Sequence, residues 1–124
     1  MQNNEIVGTC GYKFVPKGWG YEKWIWNDSS YCGKLLFIAK ERKCSWHYHK
    51  LKKETFYIQQ GKLCVFYGWQ DDISLAETKL LEPGGIFHVP TGLRHQMFAE
   101  TDTYLFEFST EHFDEDSIRI IKGD

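Results

Sequence analysis

The sequence predicts an all-β fold, a barrel or sandwich of short antiparallel strands, and three observations carry that expectation. Runs rich in aromatic and β-branched residues recur at a spacing of roughly 8–12 residues. Turn-forming clusters separate them: Asn27 to Ser30, Gln70 to Asp72, Glu82 to Gly85, and Pro90 to Gly92. No stretch keeps an apolar period of 3.6 residues for three helical turns. At 124 residues the chain suits one domain, residues 1–124, and leaves no room for two ordinary ones.

Taken in order, Ile6-Val7 and Tyr12 to Val15 read as short edge strands, broken by Pro16 and Gly18. Lys17 to Trp26 is unusually aromatic. Trp19, Tyr21, Trp24 and Trp26 are large amphipathic surfaces that suit packing under a barrel or against a second subunit. Tyr31 to Ala39 reads as a strand, and Lys40 to Lys43 as a charged turn. Glu54 to Gln60 is a return strand ended by Gly61, and Lys62 to Trp69 follows it. Ile73 to Leu81 alternates imperfectly and reads as an edge strand. Ile86 to Val89, His95 to Ala99 and Thr103 to Ser109 complete the set, and the apolar tail at Ile118, Ile120 and Ile121 is expected to pack.

Composition narrows the function classes. Charged residues are 26% and hydrophobic residues 42%, a globular balance. Fifteen basic against 17 acidic side chains leave no electrostatic footprint for nucleic acid. No apolar run approaches the ~18 residues of a membrane span, and Met1 to Glu5 does not resemble a signal peptide, so a cytoplasmic location is expected. Cys10, Cys32, Cys44 and Cys64 form no Cys-x-x-Cys pair and read as buried reduced thiols.

The chemistry centres on His47-x-His49-x4-Glu54-x6-Gly61. Residues two apart in a strand share a face, so His47 and His49 project together while Trp46 and Tyr48 face away. Lys50 to Lys53 can turn the chain so that Glu54 returns on the next strand. Two imidazoles and a carboxylate on one inward face outline a first-row transition-metal site. Cys44, by the same alternation, belongs to the opposite face and is not expected to be a ligand. A second stretch, Gly84-x5-Pro90-x-Gly92-x2-His95, supplies a turn and then a histidine opening another strand.

These two motifs, in this order, resemble those of the cupin superfamily. The resemblance implies a single cupin barrel (a double-stranded β-helix, or jelly roll) with His47, His49, Glu54 and His95 as ligands to one divalent metal. Two positions depart from the pattern: Glu41 stands where glycine is expected, and Ala99 where asparagine is expected. Imidazole and carboxylate suit Fe, Mn, Zn, Ni or Co. Four such ligands leave two octahedral positions open, neighbours in the cupin arrangement, for a substrate or dioxygen.

Around this site, Lys50, Lys52, Lys53 and Arg94 are expected to form a basic rim that attracts an anionic substrate. Phe106 and Phe108 share one face of their strand, which leaves Glu107 on the other as a candidate general base. His88 is ambiguous, and His112 is expected to face solvent. Weaker motifs, Trp19 to Glu22, Tyr31 to Leu35, Ser109-Thr-x-His112 and Asp116-Ser-x-Arg119, resemble a subgroup of short cupins similar to the cupin part of type II mannose-6-phosphate isomerases. Gly18 and Glu111 stand where that group often has proline.

The resemblance implies a metal-dependent isomerase or epimerase acting on a sugar or sugar phosphate, as a homodimer. Glu107 or Glu54 is then the base, and Lys34, Glu22 and Arg94 orient the substrate. An iron-dependent dioxygenase and a sugar-binding module without turnover are the competing readings.

Overall fold

The computed structural model describes Gly8 and residues 11–124. The expectations for Ile6, Val7 and Cys10 fall outside the described residues. Eleven strands follow in order: β1 (Lys13–Lys17), β2 (Gly20–Asn27), β3 (Cys32–Ile38), β4 (Trp46–His49), β5 (Glu54–Gln60), β6 (Leu63–Gly68), β7 (Glu77–Leu81), β8 (Ile86–Val89), β9 (Arg94–Ala99), β10 (Thr103–Ser109) and β11 (Ser117–Ile121). They form two antiparallel sheets, ordered β1-β2-β3-β10-β5-β8 and β11-β4-β9-β6-β7. The chain crosses between the sheets from β3 to β6 and again from β7 to β11, and the result is a single jelly-roll barrel.

Each inner face changes character along its strand, which is what places the site. On β3, Lys34 gives way to Leu36 and Ile38; on β5, Glu54 to Phe56 and Ile58; on β9, His95 to Met97 and Ala99. On β10, running the opposite way, Leu105 leads to Glu107. Register sets Leu105 opposite Leu36 and Ile58, and Glu107 between Lys34 on one side and Phe56 on the other, where the apolar face gives way to the polar one. One end of the barrel is therefore an apolar plug, and the other is a polar cavity roofed over it. Each fully buried plug residue such as Ile58 or Phe56 contributes roughly 1.5–3 kcal/mol, enough to hold charged side chains above it in fixed positions.

Two strands differ from the reading by pattern. β1 runs through Pro16, which an edge strand tolerates because the missing N–H need not face a partner. Ile73 to Leu75 forms a 3-10 turn and only Glu77–Leu81 is strand, because the Asp72 carboxylate caps the turn by accepting from the Ser74 N–H (3.0 Å) and hydroxyl (2.8 Å). Part of the apolar tail packs: β11 pairs with β4, with Ile118 and Ile120 partly buried and Ile121 exposed.

The aromatic segment divides by strand alternation. Trp19, in the turn before β2, is buried in the core; within β2, Trp24 lines the cavity while Tyr21 faces outward. There it joins a ladder of rings, Phe14–Tyr21–Phe37–Tyr104, with centroids 5.1, 5.2 and 4.8 Å apart. Phe14 and Ile25 on β1 and β2 are more than half exposed. An exposed apolar sheet face of this kind gains by pairing with a twin. Light scattering at micromolar protein is expected to give the mass of a dimer; a monomer mass would rule that assembly out.

Candidate metal centre

Three strands and one turn bring four side chains together. His47 and His49 come from β4, Glu54 opens β5, and His95 on β9 sits opposite His47 in register. The turn before β9 is tied to the first motif, because the Gly92 N–H donates to the His49 carbonyl (3.0 Å). Gly92 holds φ of 89°, a left-handed conformation that glycine adopts without Cβ strain. Glu41, where a glycine was expected, likewise takes φ of 65°. The turn demands this conformation, and a glutamate there carries strain on the order of 1 kcal/mol.

The donor atoms of His47, His49, Glu54 and His95 lie within 4.8 Å of one another. Opposite ligands around one ion at 2.2 Å are about 4.4 Å apart, and adjacent ones about 3.1 Å. Glu54 Oε2 is 3.1 Å from His49 Nε2 and 3.2 Å from His95 Nε2. Yet Glu54 Oε2 and His95 Nε2 make no hydrogen bond of acceptable geometry, and neither does His49 Nδ1. Leaving one such buried group unsatisfied costs about 1–3 kcal/mol, so Glu54 Oε2 and His95 Nε2, side by side, call for an occupant. His49 Nδ1 lies on the far side of its ring, 3.8 Å from Asp116 Oδ2. A cation at the centre of the four satisfies the first two directly.

The rings are also oriented for it. His95 Nδ1–H donates to the Leu93 carbonyl (2.9 Å) and His47 Nδ1–H to the Ser45 carbonyl (3.0 Å), which turns both Nε2 lone pairs inward. Burial and the neighbouring His95 and His49 rings hold His47 well below the usual histidine pKa, in the neutral form that binds metal. Burial alone would raise Glu54, but the Lys52 ammonium and the two imidazoles hold it well below the usual carboxylate range.

Residues 35–108 match the cupin domain family. The chain belongs to the cupin family. No curated protein matches its sequence. Among solved structures it superposes on CapF, a capsular polysaccharide assembling protein from Staphylococcus aureus, with a TM-score of 0.75 and 15% identity over 93% of this chain and 33% of that one. Oxalate decarboxylase from Bacillus subtilis gives a TM-score of 0.75 at 14% identity, over 87% and 30% of the two chains. KdgF from Halomonas sp. gives 0.69 at 18% identity, over 85% and 89%. This cupin spans about a third of the length of CapF and of oxalate decarboxylase. At these identities the likeness is one of fold.

The cupin cavity, about 360 Å³, extends from the four-residue cluster past Lys34, Lys52, Glu107 and Glu22 to Trp24 and His112. Lys34 and Lys52 are almost fully buried. Lys52 Nζ lies 2.8 Å from Glu107 Oε2 and 3.4 Å from Glu54 Oε1; Lys34 Nζ lies 3.5 Å from Glu22 and 3.9 Å from Glu107. Burial and the Glu54 carboxylate push Glu107 above the usual carboxylate range, against the pull of Lys52 and Lys34. Burial acts on Glu22 in the same sense, but the Lys34 ammonium and the Trp24 indole (2.7 Å) outweigh it and lower that carboxyl. Three carboxylates here face two ammoniums, so a cation at the cluster also offsets an excess of buried negative charge.

Several expectations change. Lys52 is not part of an exposed rim but a buried partner of Glu107. Lys50 and Lys53 are exposed and do not line the cavity. Arg94 is not brought to the cavity either: its guanidinium lies 3.8 Å over the Tyr48 ring and 2.9 Å from Asp71, because it alternates with inward-facing His95. Cys44 lines the cavity, since the chain is not regular strand between Lys43 and Trp46 and face alternation breaks there; it is not among the clustered donors. His88 is exposed and its ring meets the Thr55 hydroxyl at 2.9 Å.

His112 is the residue that pattern reasoning placed wrongly. It lines the cavity, its Nδ1 accepting from Lys34 (3.1 Å) and Lys52 (3.0 Å) while Nε2–H donates to Asp114 (2.9 Å). Burial and the two ammoniums pull its pKa down to about 4, which fixes this neutral tautomer at ordinary pH. It sits in irregular chain after β10, where no periodicity could assign a face. The only signal was its place in the Ser109-Thr-x-His112 motif.

Asp116 is a functional residue for which the sequence pattern offered no placement. Its buried carboxylate accepts from the backbone N–H groups of Lys50 (3.0 Å), Leu51 (2.8 Å) and Lys52 (3.0 Å), and fastens the loop between His49 and Glu54. Asp116→Ala leaves three donors unmatched and is expected to cost roughly 3 kcal/mol or more. Urea unfolding monitored by fluorescence would measure it, and a loss under ~0.5 kcal/mol would show the loop held by other contacts.

Proposed function

We propose that this cupin is a metal-dependent isomerase or epimerase of a small sugar or sugar phosphate, with Glu107 as the proton-transfer group. The observation that carries the reading is the buried Glu107–Lys52 pair sharing one cavity with the four-residue cluster. An acid–base group needs a pKa near the working pH and a position beside the substrate. Glu107 has a raised pKa and faces the cavity. Glu54 has a lowered one, with Oε1 beside Lys52 and Oε2 directed into the cluster between the His49 and His95 rings. That divides the two carboxylates into base and ligand.

His47, His49, Glu54 and His95 would hold a divalent cation, which when bound polarises carbonyl and hydroxyl oxygens and stabilises negative charge on them. The chain's own residues do the rest. Glu107 takes the proton from the hydroxyl-bearing carbon beside the carbonyl and returns it to the former carbonyl carbon, while the hydroxyl proton passes to the former carbonyl oxygen. Lys52, 2.8 Å away, stabilises the carboxylate before transfer and can donate to a substrate oxygen after it. Lys34 and Glu22 offer a donor and an acceptor to hydroxyl groups, and Trp24 offers an aromatic face. The apolar floor of Leu36, Phe56 and Met97 limits water beneath the reacting carbons.

The test is proton exchange. Metal-loaded protein in deuterated buffer is incubated with hexose and pentose sugars and their phosphates, and NMR follows the carbon-bound hydrogen next to the carbonyl. Exchange or interconversion of one substrate supports the reading. No exchange in any, at full metal occupancy, overturns it and leaves a binding module.

A further inference from the structure

With the expected rim dispersed, three other cations occupy the mouth of the cavity. Lys13 and Lys17 stand on β1 and Arg119 on β11, and all three line the opening. Their placement follows from register. Lys13 pairs with Trp24 and Val15 with Glu22, so the inward face of β1 continues that of β2. Arg119 lies directly opposite His47. Partners in an antiparallel pair project to one face with Cβ atoms about 4.5–5.5 Å apart. Arg119 thus stands one strand away from the cluster and on the same side.

Among the described residues none of the three makes an ion pair within 4.0 Å, whereas Arg94 and the buried Lys34 and Lys52 all do. Lys13 is nonetheless held in place, its ammonium 4.5 Å from the centroid of the Trp24 ring. Asp114, at this mouth, accepts from His112, and the more distant Lys13 and Lys17 also help to lower its carboxyl without a close ion pair. Three cations from two sheets therefore flank one opening and outnumber the carboxylates that feel their charge, Asp114 and Glu22.

We infer that Lys13, Lys17 and Arg119 bind the phosphoryl group of a sugar phosphate whose other end reaches the four-residue cluster. The inference rests on the proposed sugar chemistry for the occupant of the inner cavity, but not on turnover. Arg119 presents a planar fork suited to two phosphate oxygens, and the lysines act as point charges. A phosphate monoester dianion fits this set better than a carboxylate, because its three terminal oxygens can meet three separate donors. The cavity volume, about 360 Å³, is in the range of small-molecule sites.

Titration calorimetry on the metal-loaded protein tests this with fructose 6-phosphate, fructose and inorganic phosphate. Fructose 6-phosphate is expected to bind at least about tenfold more tightly than fructose at low salt, with inorganic phosphate competing. The gap should narrow as the Debye length falls from about 30 Å at 0.01 M to about 8 Å at 0.15 M. Lys17→Ala combined with Arg119→Gln should remove most of the gap while metal content, by mass spectrometry, stays unchanged. Lys40→Ala combined with Lys79→Ala removes as much charge from exposed sites off the cavity, and should leave the gap within about twofold.

Equal weakening in both double variants, or fructose binding as tightly as its phosphate, overturns the inference. Tight, Arg119-dependent phosphosugar binding with no proton exchange would leave it standing while the isomerase reading falls. Exchange of unphosphorylated sugar alone would do the reverse.

Discussion

His95→Ala is expected to reduce metal affinity by more than about 100-fold, since changing even the groups behind a metal ligand costs 10–100-fold. His95 is 1% exposed, and its Nε2 lies among the cluster atoms with no hydrogen bond of its own. Mass spectrometry of the purified variant should find little bound metal, and added zinc should raise its melting temperature far less than that of the parent. His47→Ala and His49→Ala should behave alike. Glu41→Ala, remote from the cluster on an exposed turn, should retain full occupancy. Equal metal content in all four variants would defeat the assignment of the site.

Glu107→Gln should lower proton exchange by about 10²–10⁴-fold, the usual contribution of one positioned acid–base group, while leaving metal content intact. The amide keeps shape and hydrogen bonding to Lys52 but cannot accept a proton. The sign of the pH dependence follows from the raised pKa of Glu107. A base must be ionised, so the parent's rate should climb as pH rises through that raised value, and the residual rate of the variant should lack this limb. A variant with the parent's rate and pH profile would remove Glu107 from the chemistry. Loss of metal along with rate would instead assign it to support of the cluster.

The fold and the metal cluster were legible in the sequence for a local reason. A strand has a period of two, so His47 and His49, or Phe106 and Phe108 against Glu107, sort themselves onto faces wherever the strand is regular. Turn residues punctuate those strands, and β5, β8 and β10 fall where composition places them. Within such a frame the spacing from His49 to Glu54 and from Gly92 to His95 is set by turns too short to vary much. The family resemblance then supplied the ligand set, which the structure brings within 4.8 Å.

What the tertiary structure decided lies where that period is absent or where distant segments meet. Lys52 and Lys53 are neighbours in one turn, yet one is buried against Glu107 and the other is exposed, because Asp116, 64 residues on, grips the loop at the Lys52 N–H. His112 comes inward because Asn27 holds its backbone and Trp24 meets its ring at 4.7 Å. Arg94 is turned away by the same alternation that turns His95 in, and Arg119 is delivered to the mouth by pairing of β11 with β4. By itself the sequence determined most of the strands and the barrel class, consequences of short-range geometry, and the cupin resemblance added the set His47, His49, Glu54 and His95 that clusters in the structure. Which charges share the cavity with them is a matter of long-range register and burial, and those energies exist only once the two sheets close.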